Sequence, residues 1–167
     1  KTTGSTGFTL LVQGDANVFT GFKSLNSGYS GVSNRGDYST YRDLSIIEYM
    51  EHGFSQAGGN KNELTVDGVY SSSSVSTQAC FLVDPSYTTD SSKTGYKLKN
   101  LNLSNAKFIG GESMNNGMKL ARIDHVRMSN VTVQHTSDSY SSLKLAESIG
   151  KIEIRDSYFA RDINQDP

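Results

Sequence analysis

Apolar and polar residues alternate with a period of two in five short stretches of the chain. These are "LSIIEYME" from Leu44, "LTVDGVYS" from Leu64, "LNLSNAKF" from Leu101, "VRMSNVTV" from Val126 and "IEIRDSYF" from Ile152. Each opens apolar-x-apolar, the signature of a strand with one buried face. In the last four a turn-former follows at the fifth position: Gly68, Asn105, Asn130 and Asp156. Gly, Asn and Asp tolerate left-handed or sharply bent backbone, so each strand is predicted to bend there and continue as a second short strand. The starts are spaced by 20, 37, 25 and 26 residues. Another strand class precedes them, carried by Met118 and Leu120, by Leu143 and Leu145, and earlier by Phe54 and Gln56.

A unit of about three short strands cannot bury its own apolar face, but a stack of such units can. The apolar spacing of two, with β-branched and aromatic residues in the inward slots, argues against a helical array. A propeller blade needs roughly 40 residues. The expected fold is all-β: a right-handed parallel β-helix of about 25 residues per coil, with roughly six or seven coils in one domain over 1–167. Leu101, Val126 and Ile152 should stack, as should Leu103, Met128 and Ile154, with Asn105, Asn130 and Asp156 at a corner. Residues 1–43 repeat less regularly, with "FTLLVQG" and "NVFTGF" as strands and "SGYSGVSNRGDYS" as a Gly/Ser-rich turn region. The polar stretch 84–95 reads as an inserted loop. An open end of such a ladder needs a cap. Neither end carries an evident one, and the chain opens at Lys1 without Met, so a piece of a longer chain is expected.

Composition adds limits. Hydrophobic residues make up 35% and the formal net charge is −1. The low apolar content fits narrow strands and many turns, and the near-neutral charge gives no reason to expect nucleic acid as a partner. No apolar run approaches the roughly 20 residues of a membrane helix, so membrane insertion is not expected. One cysteine, Cys80, excludes an intrachain disulfide. No metal or cofactor is implied: the three histidines lack ligand spacing, and no EF-hand or P-loop pattern occurs.

The segments from Leu101, Val126 and Ile152 resemble the pectin-lyase-like superfamily of right-handed β-helices, particularly the trimeric tailspike and capsule-depolymerase proteins of bacteriophages. The resemblance covers roughly 44–159, and 8–43 more loosely. It implies recognition and cleavage of a bacterial surface polysaccharide or oligosaccharide by a homotrimer, outside the cell or on the virion surface. The superfamily also includes lyases, epimerases and non-catalytic adhesins. "FLVDPS" is similar to the Asp-Pro-His loop of alginate epimerases, with Ser86 where the histidine would stand.

Coil equivalence suggests which side chains become neighbours. Phe108, Val133 and Phe159 are equivalent, so the loops after them should bring Glu112, Asp138 and Asp162 to one side, with His135 between. Glycoside hydrolysis needs two carboxyl groups, roughly 5 Å apart for retention and roughly 6.5–9.5 Å for inversion, and these three acids are the catalytic candidates. Solvated loop acids would look the same in sequence. Lys119 and Lys144 should be adjacent, and two stacked lysines repel unless something anionic lies across them. They are candidates for contact with an acidic sugar, and equally an ordinary exposed pair. Arg127 and Glu153 read as a cross-strand ion pair. Tyr87 and Tyr140 are the exposed rings on which a sugar could stack, while Tyr49, Tyr70 and Tyr158 fall on strand positions as core or corner residues. "RGD" at Arg35 to Asp37 and the glycosylation-like triplets at Asn102 and Asn130 are three-letter matches, read as chance.

Three function classes follow: a polysaccharide hydrolase, a non-catalytic adhesin or receptor-binding module, and a uronan lyase or epimerase. In the last, a lysine would neutralise the substrate carboxylate while a Tyr or His moves the proton.

Overall fold

The computed structural model describes residues 7–86, 95–135, 141–147 and 149–161. Fourteen strands run through them: β1 (Leu10–Val12), β2 (Val18–Thr20), β3 (Lys23–Ser27), β4 (Val32–Asn34), β5 (Ser39–Tyr49), β6 (His52–Gln56), β7 (Lys61–Ser73), β8 (Ala79–Val83), β9 (Leu98–Gly110), β10 (Asn116–Ala121), β11 (Ile123–His135), β12 (Ser141–Ala146), β13 (Lys151–Arg155) and β14 (Tyr158–Arg161). All pairings among them are parallel. One sheet has the order β1-β4-β6-β8-β10-β12; the other has β13-β11-β9-β7-β5-β2, with β3 beside β5 and β14 beside β11. The result is a parallel β-solenoid of about five turns, with repeats about 25 residues apart.

The expected columns are present. Val126 lies between Leu101 and Ile152, and Met128 between Leu103 and Ile154. Met118 pairs with Phe81 and Leu143, and Phe54 with Phe81. The long strands β7, β9 and β11 each contain one left-handed residue, and β5 contains two, Asp43 and Glu48. The bend residues Asp43, Gly68, Asn105 and Asn130 have φ of 52°, 70°, 51° and 52°. Gly21 and Asp156, at φ 67° and 49°, hold the same place where the first and last coils break into two strands. Left-handed backbone suits Gly, Asn and Asp and costs other residues more. At Gly68 space also matters, because a Cβ there would lie 2.8 Å from Asp43 Oδ1.

Three expectations change. Leu44 does not stand level with Leu64: it pairs with Val69, and Leu64 faces Ser39. The true counterpart of "LTVDG" is "STYRD" from Ser39, which turns the odd spacing of 20 into 25. Burial alternates through both arms of β5, but the first arm has polar Ser39 in its inward slot, so the apolar-x-apolar template fits only the second arm, Leu44 to Ile46. Glu48 in the second arm is left-handed as well as Asp43, so only the pairing of β5 with β7, which sets Arg42 against Asp67 and Leu44 against Val69, fixes the choice. The coil number is about five rather than six or seven. β7 pairs directly with β9, so the 37-residue spacing between Leu64 and Leu101 is a single step of that sheet. The Gly/Ser-rich stretch near Val32 is also no mere turn: it contains β4, with all three residues buried.

The core lies between the sheets. Phe19 stacks on Tyr41, Tyr41 meets Phe54 edge-on, Phe54 stacks on Phe81, and Phe81 tilts against Phe108, with centroids 5.0–5.2 Å apart. Each fully buried large side chain contributes on the order of 1.5–3 kcal/mol before entropy. The interior also holds polar side chains, as the low apolar content requires. Asn34 Nδ2 donates to Gln56 Oε1 at 2.6 Å, and Ser71 Oγ donates to Tyr49 Oη at 3.0 Å. These pairings continue the inward columns by hydrogen bonding where apolar packing is missing. Burial drives the Tyr49 phenol well above its ordinary pKa and pushes the Cys80 thiol up to about 12.

Candidate functional site

The outer surface of the long-strand sheet is built by the residues between the apolar pairs. In the first arm of each strand, one outward column runs Thr65, Asn102, Arg127, Glu153. A second runs Asp67, Ser104, Ser129, Arg155. Neighbouring members sit one strand spacing, about 4.8 Å, apart. Beyond the bend a third column carries Tyr70, Lys107, Thr132 and Tyr158. Tyr70 and Tyr158 are 39% and 51% exposed, so both rings face solvent, whereas Tyr49 is fully buried.

A solvent-open depression of about 440 Å³ lies on this surface, lined by the side chains of Asn102, Ser104, Arg127, Ser129, Glu153 and Arg155. The expected Arg127–Glu153 ion pair is absent, although the two residues are in register. Glu153 is held by Lys151 on its own strand at 2.6 Å, with Arg155 at 3.9 Å. Lys151, first of all through its hydrogen bond, keeps the Glu153 carboxyl below its ordinary pKa. At one edge, Ser104 Oγ and Asn105 Nδ2 each donate to Asp67 Oδ1 at 2.7 Å. Those bonds hold Asp67 below its ordinary pKa as well. Asn130 Nδ2 donates to Asn105 Oδ1 at 2.9 Å and extends the chain of bonds along the corner. The triplet at Asn130 thus belongs to the bend ladder.

The sequence-derived candidates do not gather here. Glu112 is exposed in the turn after β9. Asp138, Asp162, Tyr87 and Tyr140 lie outside the described residues, so the Glu112–Asp138 separation does too. His135, expected in a loop among carboxylates, is instead the last residue of β11, beside Gly110, and is 1% exposed. It sits in an inward column, which removes its ring from a solvent-facing contact set. Lys119 and Lys144 are adjacent, as expected. The anion across Lys119, however, comes from the chain itself: Asp84 Oδ2 lies 3.7 Å from Lys119 Nζ. Asp84 also accepts a 2.5 Å bond from Arg122 Nη1, and Arg122 pairs through Nη2 with Glu147. Lys144 stands outside this cluster and is exposed.

Asp84 and Ser86, from the epimerase-like stretch, are structural. Asp84 Oδ1 accepts from Ser86 N at 3.2 Å, and Ser86 Oγ accepts from Tyr96 N at 3.1 Å, closing the base of the insertion. The aspartate of the RGD triplet is likewise engaged. Asp37 accepts from Asn62 N at 2.7 Å, Asn62 Nδ2 at 2.6 Å, Tyr38 N at 2.8 Å and Glu63 N at 3.2 Å. Partial burial opposes its charge, but these donors outweigh it and lower its pKa. Among the described residues, no group of three or more His, Cys, Asp or Glu is placed to hold a metal ion.

The residues of the depression were visible in sequence only as the middle letters of "LNL", "VRM" and "IEI", and as those just past them. Their signal is that they are polar at every coil while their neighbours are apolar. The fold and this surface define a parallel β-solenoid with one long hydrogen-bonding face. Comparison with protein families, with curated proteins and with solved structures finds no match for this chain.

Proposed function

We propose that this protein is a carbohydrate-recognising β-helix of the tailspike kind, and that it binds a bacterial surface polysaccharide along the outer face of the long-strand sheet. One observation carries the reading: donors, acceptors and charges repeat at one-strand intervals over a solvent-open depression, with the exposed rings of Tyr70 and Tyr158 in the column beyond the bend. A polymer with a repeating unit needs a surface with a repeating set of contacts, and an aromatic face gives an apolar platform for a sugar ring. The working form in this reading is a homotrimer outside the cell or on a virion surface.

Cleavage by Glu112 with Asp138 or Asp162 is the catalytic extension of the same reading. The test is incubation with a panel of bacterial surface polysaccharides, scored for binding and for products by mass spectrometry. Binding without fragments is the expected result and makes the face a recognition surface. Fragments that have gained water, lost in Glu112→Gln, would add hydrolysis. Unsaturated fragments would indicate a lyase. No binding to any member of the panel overturns the proposal.

A further inference from the structure

We infer that the depression between β11 and β13 is an anion subsite, and that it takes the carboxylate of an acidic sugar on Arg127 and Arg155. This rests on the reading of the outer face as a glycan-binding surface and names the substrate class. The argument begins with charge. Four charged side chains meet here: Arg127, Lys151, Glu153 and Arg155. The single anion, Glu153, is engaged by Lys151 at 2.6 Å, and Arg155 reaches it only at 3.9 Å with a side chain 76% exposed. Arg127 has no carboxylate within 4.0 Å among the described residues. Arg127 thus has no close anion and Arg155 only a distant one, above a concave floor that mixes Leu103 and Met128 with Asn102, Ser104 and Ser129.

Geometry supplies the second part. Arg127 is in register with Glu153, and Ser129 with Arg155, so the two arginines are diagonal neighbours on adjacent strands. Diagonal neighbours sit roughly 7–8 Å apart, a separation that two long side chains close around one carboxylate. A guanidinium presents a planar fork of donors that matches a carboxylate two bonds at a time. Asn102, beside Arg127, and Ser129, beside Arg155, can supply further donors. Ser104 is already committed, since its hydroxyl donates to Asp67. In these outward columns Glu63 and Asp67 lie on β7, three strands from β13, whereas Glu153 on β13 stands among the three cations Arg127, Lys151 and Arg155. An acidic chain along the axis therefore has a preferred end, over β11 and β13.

The experiment is calorimetric titration of the full chain with an oligouronate and with a neutral oligosaccharide of equal length, at about 50 and about 300 mM salt. Both are repeated for the R127A/R155A double variant and for R127K, with thermal unfolding confirming that each variant is folded. We expect oligouronate binding that weakens at least about tenfold in the double variant, less in R127K, and markedly at the higher salt. Oligouronate binding unchanged in the double variant overturns the subsite. Neutral oligosaccharide binding without oligouronate binding overturns it too, and leaves the glycan-binding reading standing. Binding of neither, with none across the polysaccharide panel, removes both.

Discussion

His52 shows how a single side chain can set the acid limit of this fold. It lies in β6, 3% exposed and paired in register with Ala79. Burial lowers the imidazole from 6.5 to about 4; a hydrogen bond with the Ala79 backbone opposes the shift, and nearby Lys119 adds to it. The folded pKa lies below the unfolded one, so on acidification the unfolded chain takes up this proton first. The stability tied to neutral His52 is whole above about pH 6.5. It drains as the pH falls toward about 4, by up to on the order of 3 kcal/mol. Asp37 and Asp67, both lowered, lose their contribution only below the ordinary carboxylate range. Urea midpoints of the wild type should fall steadily between pH 7 and 4.5, and those of a folded His52→Gln variant should fall much less. Equal slopes would assign the acid sensitivity elsewhere.

The bend residues belong to the same scale. Their type was legible in sequence because left-handed backbone is a local demand, met by Gly68, Asn105, Asn130 and Asp156 wherever they occur. The fates of His52 and His135 were not legible. Both sit in stretches whose letters do not say which face is inward. Only the closing of the coil buries them.

At the scale of elements, the corner beyond β8, β10 and β12 is a clasp. Asp84 ends the β8 rung, Arg122 follows β10, and Glu147 follows β12, so one carboxylate–guanidinium–carboxylate chain ties three successive coils. Lys119 joins from β10. The Asp84 side chain is 6% exposed and that of Arg122 is 15%, so removing the aspartate charge leaves a cation partly buried without its best partner. Asp84→Asn should cost about 2–3 kcal/mol, whereas Glu147→Gln, at an outer carboxylate 57% exposed, should cost well under 1 kcal/mol. Denaturant melts of the two variants check this, and equal costs would mean that the cluster does not hold the corner. The lysine pair led to this corner in sequence, but its anion could not be found there. Asp84 is 35 residues from Lys119, across an insertion whose path no local rule predicts.

For the whole molecule, a solenoid is a one-dimensional stack in which each coil is stabilised by its neighbours. The middle coils are packed on both sides: Leu120 is fully buried and Met128 is 2% exposed. In the last described coil the same columns are open, with Leu145 43% and Ile154 42% exposed. The described strands β12, β13 and β14 each pair on one side only. Protection should therefore be graded. Native-state hydrogen exchange should find the amides of β7 and β9 slowest, those of β11 intermediate, and those of β12 to β14 fastest, by several orders of magnitude. Uniform protection along the stack would mean that something covers that end in solution, the trimer of the proposed function among the candidates.

The sequence by itself determined the repeat, the inward columns from Leu101 onward and the bends at Gly68, Asn105, Asn130 and Asp156, though not the left-handed turns at Glu48, Arg122 and Glu147. Alternation and left-handed backbone are local requirements, and each coil states them again. It did not determine the register of Leu44, because the arm of β5 that is level with Leu64 puts polar Ser39 in the inward slot and only the other arm reads apolar-x-apolar. It also gave Arg127 the wrong partner, because Lys151 reaches Glu153 along one strand more closely than Arg127 does across two. Those outcomes depend on which side chain arrives first in space. Only the stacked coils decide that, and the open arginines of the outer face are its result.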